Sequence, residues 1–241
     1  MSFEVVTVSS RPDLSDEAGA AFRERWPEFI FHDPVSRQYI DRAQEYFPHY
    51  DIYLLHEGKV AAGGWGVPFV WRGAPPEGYD SALVAAVEDH DAETQPTAFS
   101  FMAAAVHRDF DKQGLATRVL TTLTERAAEQ GIDAVLAPIR PTWKHRYPQF
   151  SMAEYQTWVR DDGLSIDPWI RTHQRMGAAI VGPAPNSMVI RGTVAEWEKW
   201  ADMPFPVSGD YMVPDALNLV HVDREHDQAV YREENLWVRH R

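Results

Sequence analysis

The 241-residue chain contains no cysteine. That absence removes disulfide scaffolds, thiolate zinc sites, iron–sulfur clusters and a cysteine nucleophile together. It also fits a reducing, cytoplasmic setting. Positive charge is scarce: 23 Lys and Arg stand against 36 Asp and Glu, a formal net charge of −13. A field of that sign repels nucleic-acid phosphates and anionic membranes, so neither is expected as a partner. The same field favours cationic substrates. No uncharged apolar run approaches the roughly 20 residues that cross a bilayer. The opening segment, Met1 to Leu14, has neither the basic start nor the apolar core of a signal peptide. The ten histidines show no H-E-x-x-H and no i, i+4 pair, so no metal site is expected. A G-x-S-x-G elbow is missing too, which leaves a hydrolase without a signal.

What is present is a composition that folds: 44% hydrophobic and 12% aromatic residues exclude global disorder. The chain opens on a β-rich run over 3–8. A helix is expected over 15–26, with Ser15 as N-cap and Pro27 beyond its end, and a second over 34–46, entered through Asp33-Pro34. Two β-rich runs, 51–56 and 60–70, flank Gly58 as a hairpin. Gly63, Gly64 and Gly66 in the second run signal a bulge or a close backbone approach. After a loop at 72–78, a helix is expected over 79–89.

Residues 97–106 read as a strand of apolar and small residues, followed by a polar loop ending at Gly114. From there the apolar positions 115, 119, 120, 123 and 127 make a helical stripe, and 132–137 returns as a strand ended by Pro138. Strand, loop, helix and strand suggest a βαβ-like unit. The stretch from Arg140 to Pro148 is aromatic and irregular. Helices follow over 151–160 and 168–176, the latter stopped by Gly177, then β-rich 178–182 and 187–193, a helix over 194–201, and a hairpin from 218–223 and 228–239.

The segment from Val106 to Leu120, V-H-R-D-F-D-K-Q-G-L-A-T-R-V-L, carries the chemistry. Successive backbone N–H groups at a Gly-opened helix start form an anion cradle; the alternative is that Gly114 merely makes a turn. The stretch resembles the acetyl-CoA signature of the GNAT N-acetyltransferase superfamily, a strand ending in Val, then Arg/Gln-x-x-Gly-x-Gly/Ala opening a helix. Gly114 and Ala116 match, and Asp111 stands where the family has Arg or Gln. An anion there opposes a pyrophosphate, so Lys112, Arg108 or Arg118 is expected to offset it. A second segment, His173-Gln174-Arg175-Met176-Gly177-Ala178, resembles the family's Tyr-x-x-x-Gly-Phe, with His in place of the Tyr that acts as general acid.

The resemblance implies an α+β fold, a mixed and mostly antiparallel sheet splayed at a central strand and flanked by helices. On this reading 1–193 is the GNAT-like domain with an aromatic-rich insertion at 138–166, and 194–241 is a helix-and-hairpin extension packed on it. It implies acetyl-CoA as co-substrate. The pantetheine arm would pair with backbone at Ala105 and Val106, and Lys112, Gln113, Gly114, Leu115, Ala116 and Thr117 would bind the pyrophosphate. Val106 N–H would polarise the thioester, and His173 would protonate the departing thiolate. No general base is assigned. The implied activity is acetyl transfer to a primary amine of a small molecule or peptide; the alternative is a catalytically silent CoA-binding regulatory protein. The cluster of Trp143, Tyr147, Phe150, Tyr155, Trp158 and Trp169 either lines the acceptor pocket, or covers a sheet edge or forms a second small core. The C-terminal hairpin is a candidate homodimer surface.

Overall fold

The computed structural model describes residues 2–240. Its first half-sheet is antiparallel: β1 (Glu4–Thr7), β2 (Asp51–His56), β3 (Lys59–Phe69) and β4 (Ala98–Val106) pair in sequence order. β5 (Ala134–Ile139) joins β4 in parallel. The second half consists of β6 (Ala179–Gly192), β7 (Gly209–Tyr211), β8 (Val220–Asp223) and β9 (Gln228–Arg239). Along the sheet the order is β1-β2-β3-β4-β5-β9-β8-β7, with β6 on the other edge of β9.

Among the described residues seven helices cover this sheet: α1 (Ser15–Arg23), α2 (Pro34–Tyr46), α3 (Tyr79–Asp91), α4 (Leu115–Glu129), α5 (Met152–Tyr155), α6 (Pro168–Arg175) and α7 (Val194–Ala201). The stripe of α4 is buried as its spacing predicts: Leu115, Val119, Leu120, Leu123 and Ala127 face the sheet. They pack with Leu54, Phe99, Ile170 and Leu236 into the core of one face. On the other face α2 and α3 pack over Val67, Phe69, Met102 and Trp237. α7 closes a smaller cluster with Phe29, Ile190, Val222 and Tyr231. Among the described residues no helix is long and apolar enough to cross a membrane.

The feature that positions the site is a wedge in the middle of the sheet. β4 and β5 pair only from Ala98–Ala134 to Ser100–Leu136. Beyond that, β4 stays with β3 as far as Val106, while β5 stays with β9 as far as Ile139. A bulge marks the parting point: Trp65 pairs with Ala103 and Gly66 with Phe101, which leaves Met102 as the extra residue of β4. An extra residue bends its strand. The glycines opposite are explained by close approach: a Cβ at Gly64 would lie 2.7 Å from the Ala103 carbonyl and 2.5 Å from the Val119 side chain.

Several expectations need correction. α1 ends at Arg23 and its N-cap is Leu14, so Ser15 is its first residue and not its cap. Past Arg23 the chain tightens into turns, with Arg25 N–H on the Phe22 carbonyl and Trp26 N–H on the Arg23 carbonyl, ahead of Pro27. The helix expected over 151–160 is a single capped turn, Met152–Tyr155, after which the chain folds into a bridge between Val159 and Ser165. The runs 178–182 and 187–193 are one irregular strand. Most consequential, β9 lies between β5 and β6 inside the sheet. Its end, Leu236-Trp237-Val238, is buried on both faces, as an interior strand requires.

Candidate active site

The wedge holds a cavity of about 410 Å3, within the range of small-molecule sites. Phe101 to Ala104 of β4 form one side and Ala137 to Arg140 the other. Trp26, Ile30 and Phe31, from the α1–α2 connection, and Trp65 and Trp169 make the walls largely aromatic and apolar. Polar groups enter from few places: Ser36, Arg37 and Asp41 of α2, Tyr79 of α3, His173 of α6, and Arg140, Glu233 and Asn235 at the β5–β9 side.

At the β4 end the backbone prepares an anion site. His107 N–H donates to the Ala61 carbonyl at 2.9 Å. Antiparallel pairing alternates, so the polar backbone groups of Val106 and Ala104 point away from β3 and into the wedge. Ala105, between them, turns its groups to β3. The loop then passes through Lys112 and Gly114, both left-handed at φ 63° and 75°, into α4. No side chain caps that helix. The amides of Gln113, Gly114, Leu115, Ala116 and Thr117 therefore gather at a bare helix start, where an anion is favoured. A diphosphate fits this donor set, and the fit rests on backbone alone.

Asp111 is compensated from an unexpected direction. Arg25, just beyond α1, donates from Nη2 to Asp111 at 2.7 Å and from Nε to the Val106 carbonyl at 3.0 Å. The cations expected in this role are engaged elsewhere or turned to solvent. Arg108 lies 3.4 Å from Glu24, Arg118 donates to the Phe3 carbonyl at 2.8 Å, and Lys112 is exposed.

The β5–β9 side is a buried hydrogen-bonded network. Glu233 accepts from Arg140 Nε and Tyr231 OH on one oxygen and from Asn235 on the other, each at 2.9 Å. Arg140 also donates to the Asp215 carbonyl at 2.6 Å, and Ser187 donates to Asn235 at 2.6 Å. Beyond it, Asp33 caps α2 through Ser36 N–H at 2.6 Å, and Asp80 lies in the first turn of α3. Burial, then the charge of Asp33, pushes the Asp80 carboxyl up to about 8. Burial pushes the Asp33 carboxyl up as well, so the two acids oppose each other's ionisation.

His173 is buried on the wall of the cavity. Its Nδ1 is 2.8 Å from Nε2 of His240, and its own Nε2 has no partner. Gly177, at φ 89°, ends α6, and Ala178 N–H closes the turn on the His173 carbonyl at 3.0 Å. Burial and the neighbouring His240 push His173 down to about 3, and burial takes His240 to about 4. Both rings are therefore neutral near pH 7. The unfolded chain binds protons at these rings that the folded chain refuses. Stability is then full above the ordinary histidine value and falls as pH drops from about 6.5. Each ring contributes up to about 1.4 kcal/mol per pH unit. Thermal melts across pH 3 to 7 should show a shallower acid decline in His173→Phe than in wild type; equal slopes would contradict the assignment.

No family model matches the chain. The arginine N-acetyltransferase avaD of Aspergillus versicolor is 30% identical over 99% of this chain and 93% of its own. The chain belongs to the GNAT superfamily of N-acetyltransferases. The fold agrees. The loading GNAT-like domain of CurA from Lyngbya majuscula superimposes with a TM-score of 0.61 at 16% identity, covering 99% of this chain and 97% of that one. The GNAT-like decarboxylase GphF, solved with isobutyryl-CoA, gives 0.54 at 18% identity, over 78% and 90% of the respective chains.

The aromatic cluster of the acetyltransferase divides. Tyr147, Phe150, Tyr155 and Trp158 pack on one another with ring centroids 5.0–6.1 Å apart, a second small core. Trp143 lies outside the cavity beneath Arg146, 4.8 Å from its ring centre, and Trp169 alone of the six lines the wedge. The sequence reading missed Arg140, Glu233, Asn235 and Arg25. A signal existed for two of them: Tyr231, Glu233, Asn235 and Trp237 alternate along β9 and are all buried, and a polar residue at an inward strand position demands a partner.

Proposed function

We propose that this acetyltransferase moves an acetyl group from acetyl-CoA to a primary amine of a small cationic acceptor, with guanidine-bearing amines such as arginine as the preferred class. The observation that carries the reading is the wedge itself, lined by Phe101 to Ala104 of β4 on one side and by the charged side chains of Arg140 and Glu233 on the other. Its volume, about 410 Å3, suits a small molecule better than a peptide. The name of the Aspergillus relative and the acyl-CoA bound by the decarboxylase of similar fold support the same reading.

Acetyl-CoA, when bound, supplies a thioester carbonyl as acyl donor. Val106 N–H, directed into the wedge, donates to the carbonyl oxygen as negative charge develops on it. The apolar walls exclude water and favour the neutral amine that attacks. Asp41 and the net charge of −13 attract the cationic end of the acceptor. His173 acts as a neutral ring, its Nδ1 sharing a hydrogen bond with His240 Nε2 and its own Nε2 left without a protein partner. The proton lost by the acylated nitrogen balances the thiol that leaves.

The test is thiol release from acetyl-CoA with arginine, agmatine, ornithine, spermidine and a peptide with a free N-terminus. Fastest release with the guanidine-bearing amines is expected. No release with any amine, while acetyl-CoA still raises the melting temperature, would favour the catalytically silent CoA-binding reading. The departure at Asp111 and the neutral His173 are the observations on that side.

A further inference from the structure

We infer that Arg25 is a cofactor-positioning residue: from outside the glycine loop it brings a guanidinium to the pyrophosphate cradle and offsets the carboxylate of Asp111 there, anchored on the Val106 carbonyl. This rests on the acetyl-CoA reading above. Beside its amides the loop presents the exposed Lys112 and, at the position where the family signature has Arg or Gln, the carboxylate of Asp111. A carboxylate alone at that point would repel a diphosphate. Arg25 removes the conflict. It reaches across 86 residues of sequence to Asp111 and ties the same loop to the end of β4 through the Val106 carbonyl.

The geometry suits a ligand as well as a brace. The Arg25 side chain is 28% exposed and that of Asp111 is 49% exposed, so neither is sealed from an approaching anion. Nε and one Nη2 hydrogen serve the protein. The remaining guanidinium donors are available in the planar fork that matches phosphate oxygens. Nε on the Val106 carbonyl has a second effect: it occupies the acceptor of that residue and leaves Val106 N–H as its free group in the wedge.

A double-substitution cycle read by calorimetric titration of acetyl-CoA tests this, with folding checked by melting temperature. Arg25→Gln is expected to weaken binding about tenfold, because Asp111 is then uncompensated. Asp111→Asn should stay within about threefold of wild type, since Arg25 keeps its charge and its bond to Val106. The double variant should recover only part of the loss, because the repelling carboxylate is gone but so is the guanidinium. S-acetylpantetheine, which lacks the pyrophosphate, should bind wild type and Arg25→Gln equally. If Asp111→Asn weakens binding as much as Arg25→Gln, or the acetylpantetheine affinity falls in parallel, Arg25 is only a brace and the inference is overturned. If wild type binds no acetyl-CoA, the cofactor reading fails and the inference with it.

Discussion

Gly114→Glu is expected to abolish the rise in melting temperature that acetyl-CoA gives the wild-type protein. Gly114 lies at φ 75°, a conformation that side-chain-bearing residues adopt at a cost of about 1–2 kcal/mol. Nothing stands within 4 Å of a Cβ at this position, so no clash adds to that strain and the variant still folds. Its carboxylate, however, lies among the amides that open α4, where it competes with any anionic ligand. At 100 times its Kd a ligand stabilises the native state by about 2.7 kcal/mol, or about 5–10 °C for a chain of this size. Wild type should show that shift, Gly114→Glu none, and Gly114→Asn most of it, since Asn tolerates the left-handed region. Equal shifts in wild type and the Glu variant would move the cofactor off this loop.

Arg140→Met is expected to be among the most destabilising single changes. The side chain of Arg140 is 16% exposed and that of its partner Glu233 is 1% exposed. Removing Arg140 leaves a buried carboxylate with only Tyr231 and Asn235 as donors. Breaking a buried pair from one side costs about 3–5 kcal/mol, or roughly 6–20 °C in melting temperature at this length. Pairing it with Glu233→Gln should recover most of the loss, because no charge is then stranded and the Tyr231 and Asn235 contacts can persist. Denaturant titration of the two variants measures the difference. A loss below about 1 kcal/mol in Arg140→Met would mean that solvent reaches Glu233.

Local signals carried much of this architecture. The stripe of α4, the Asp33 cap of α2 and the Gly177 stop of α6 are each set by neighbours within a turn, so their spacing is readable along the chain. The bulge next to the glycines of β3 was half legible: the glycines are in the sequence, but the extra residue, Met102, is on the partner strand. What sequence order hides is which strands meet. β9 ends the chain, so it reads as an appendage; its pairing with β5 and β6 makes it interior and brings Glu233 and Asn235 to the cavity. Arg25 was hidden for the same reason, since its partner lies in a different part of the chain. His173 was located by its motif, yet its protonation depends on burial and on His240, which only the folded chain brings to it.

The measurement that bears most directly on acetyl transfer within the wedge is mass-spectrometric detection of acetylated arginine from acetyl-CoA and arginine, in wild type and in Ala104→Trp. Ala104 is half-buried and lines the cavity from β4, so an indole there fills the space between donor and acceptor. Melting temperature shows whether the variant is folded. Product from wild type and a loss of at least about 100-fold in a folded Ala104→Trp is the expected result. Undiminished product from the plugged variant would contradict the account, and so would the absence of acetylated arginine or any acetylated amine from wild type.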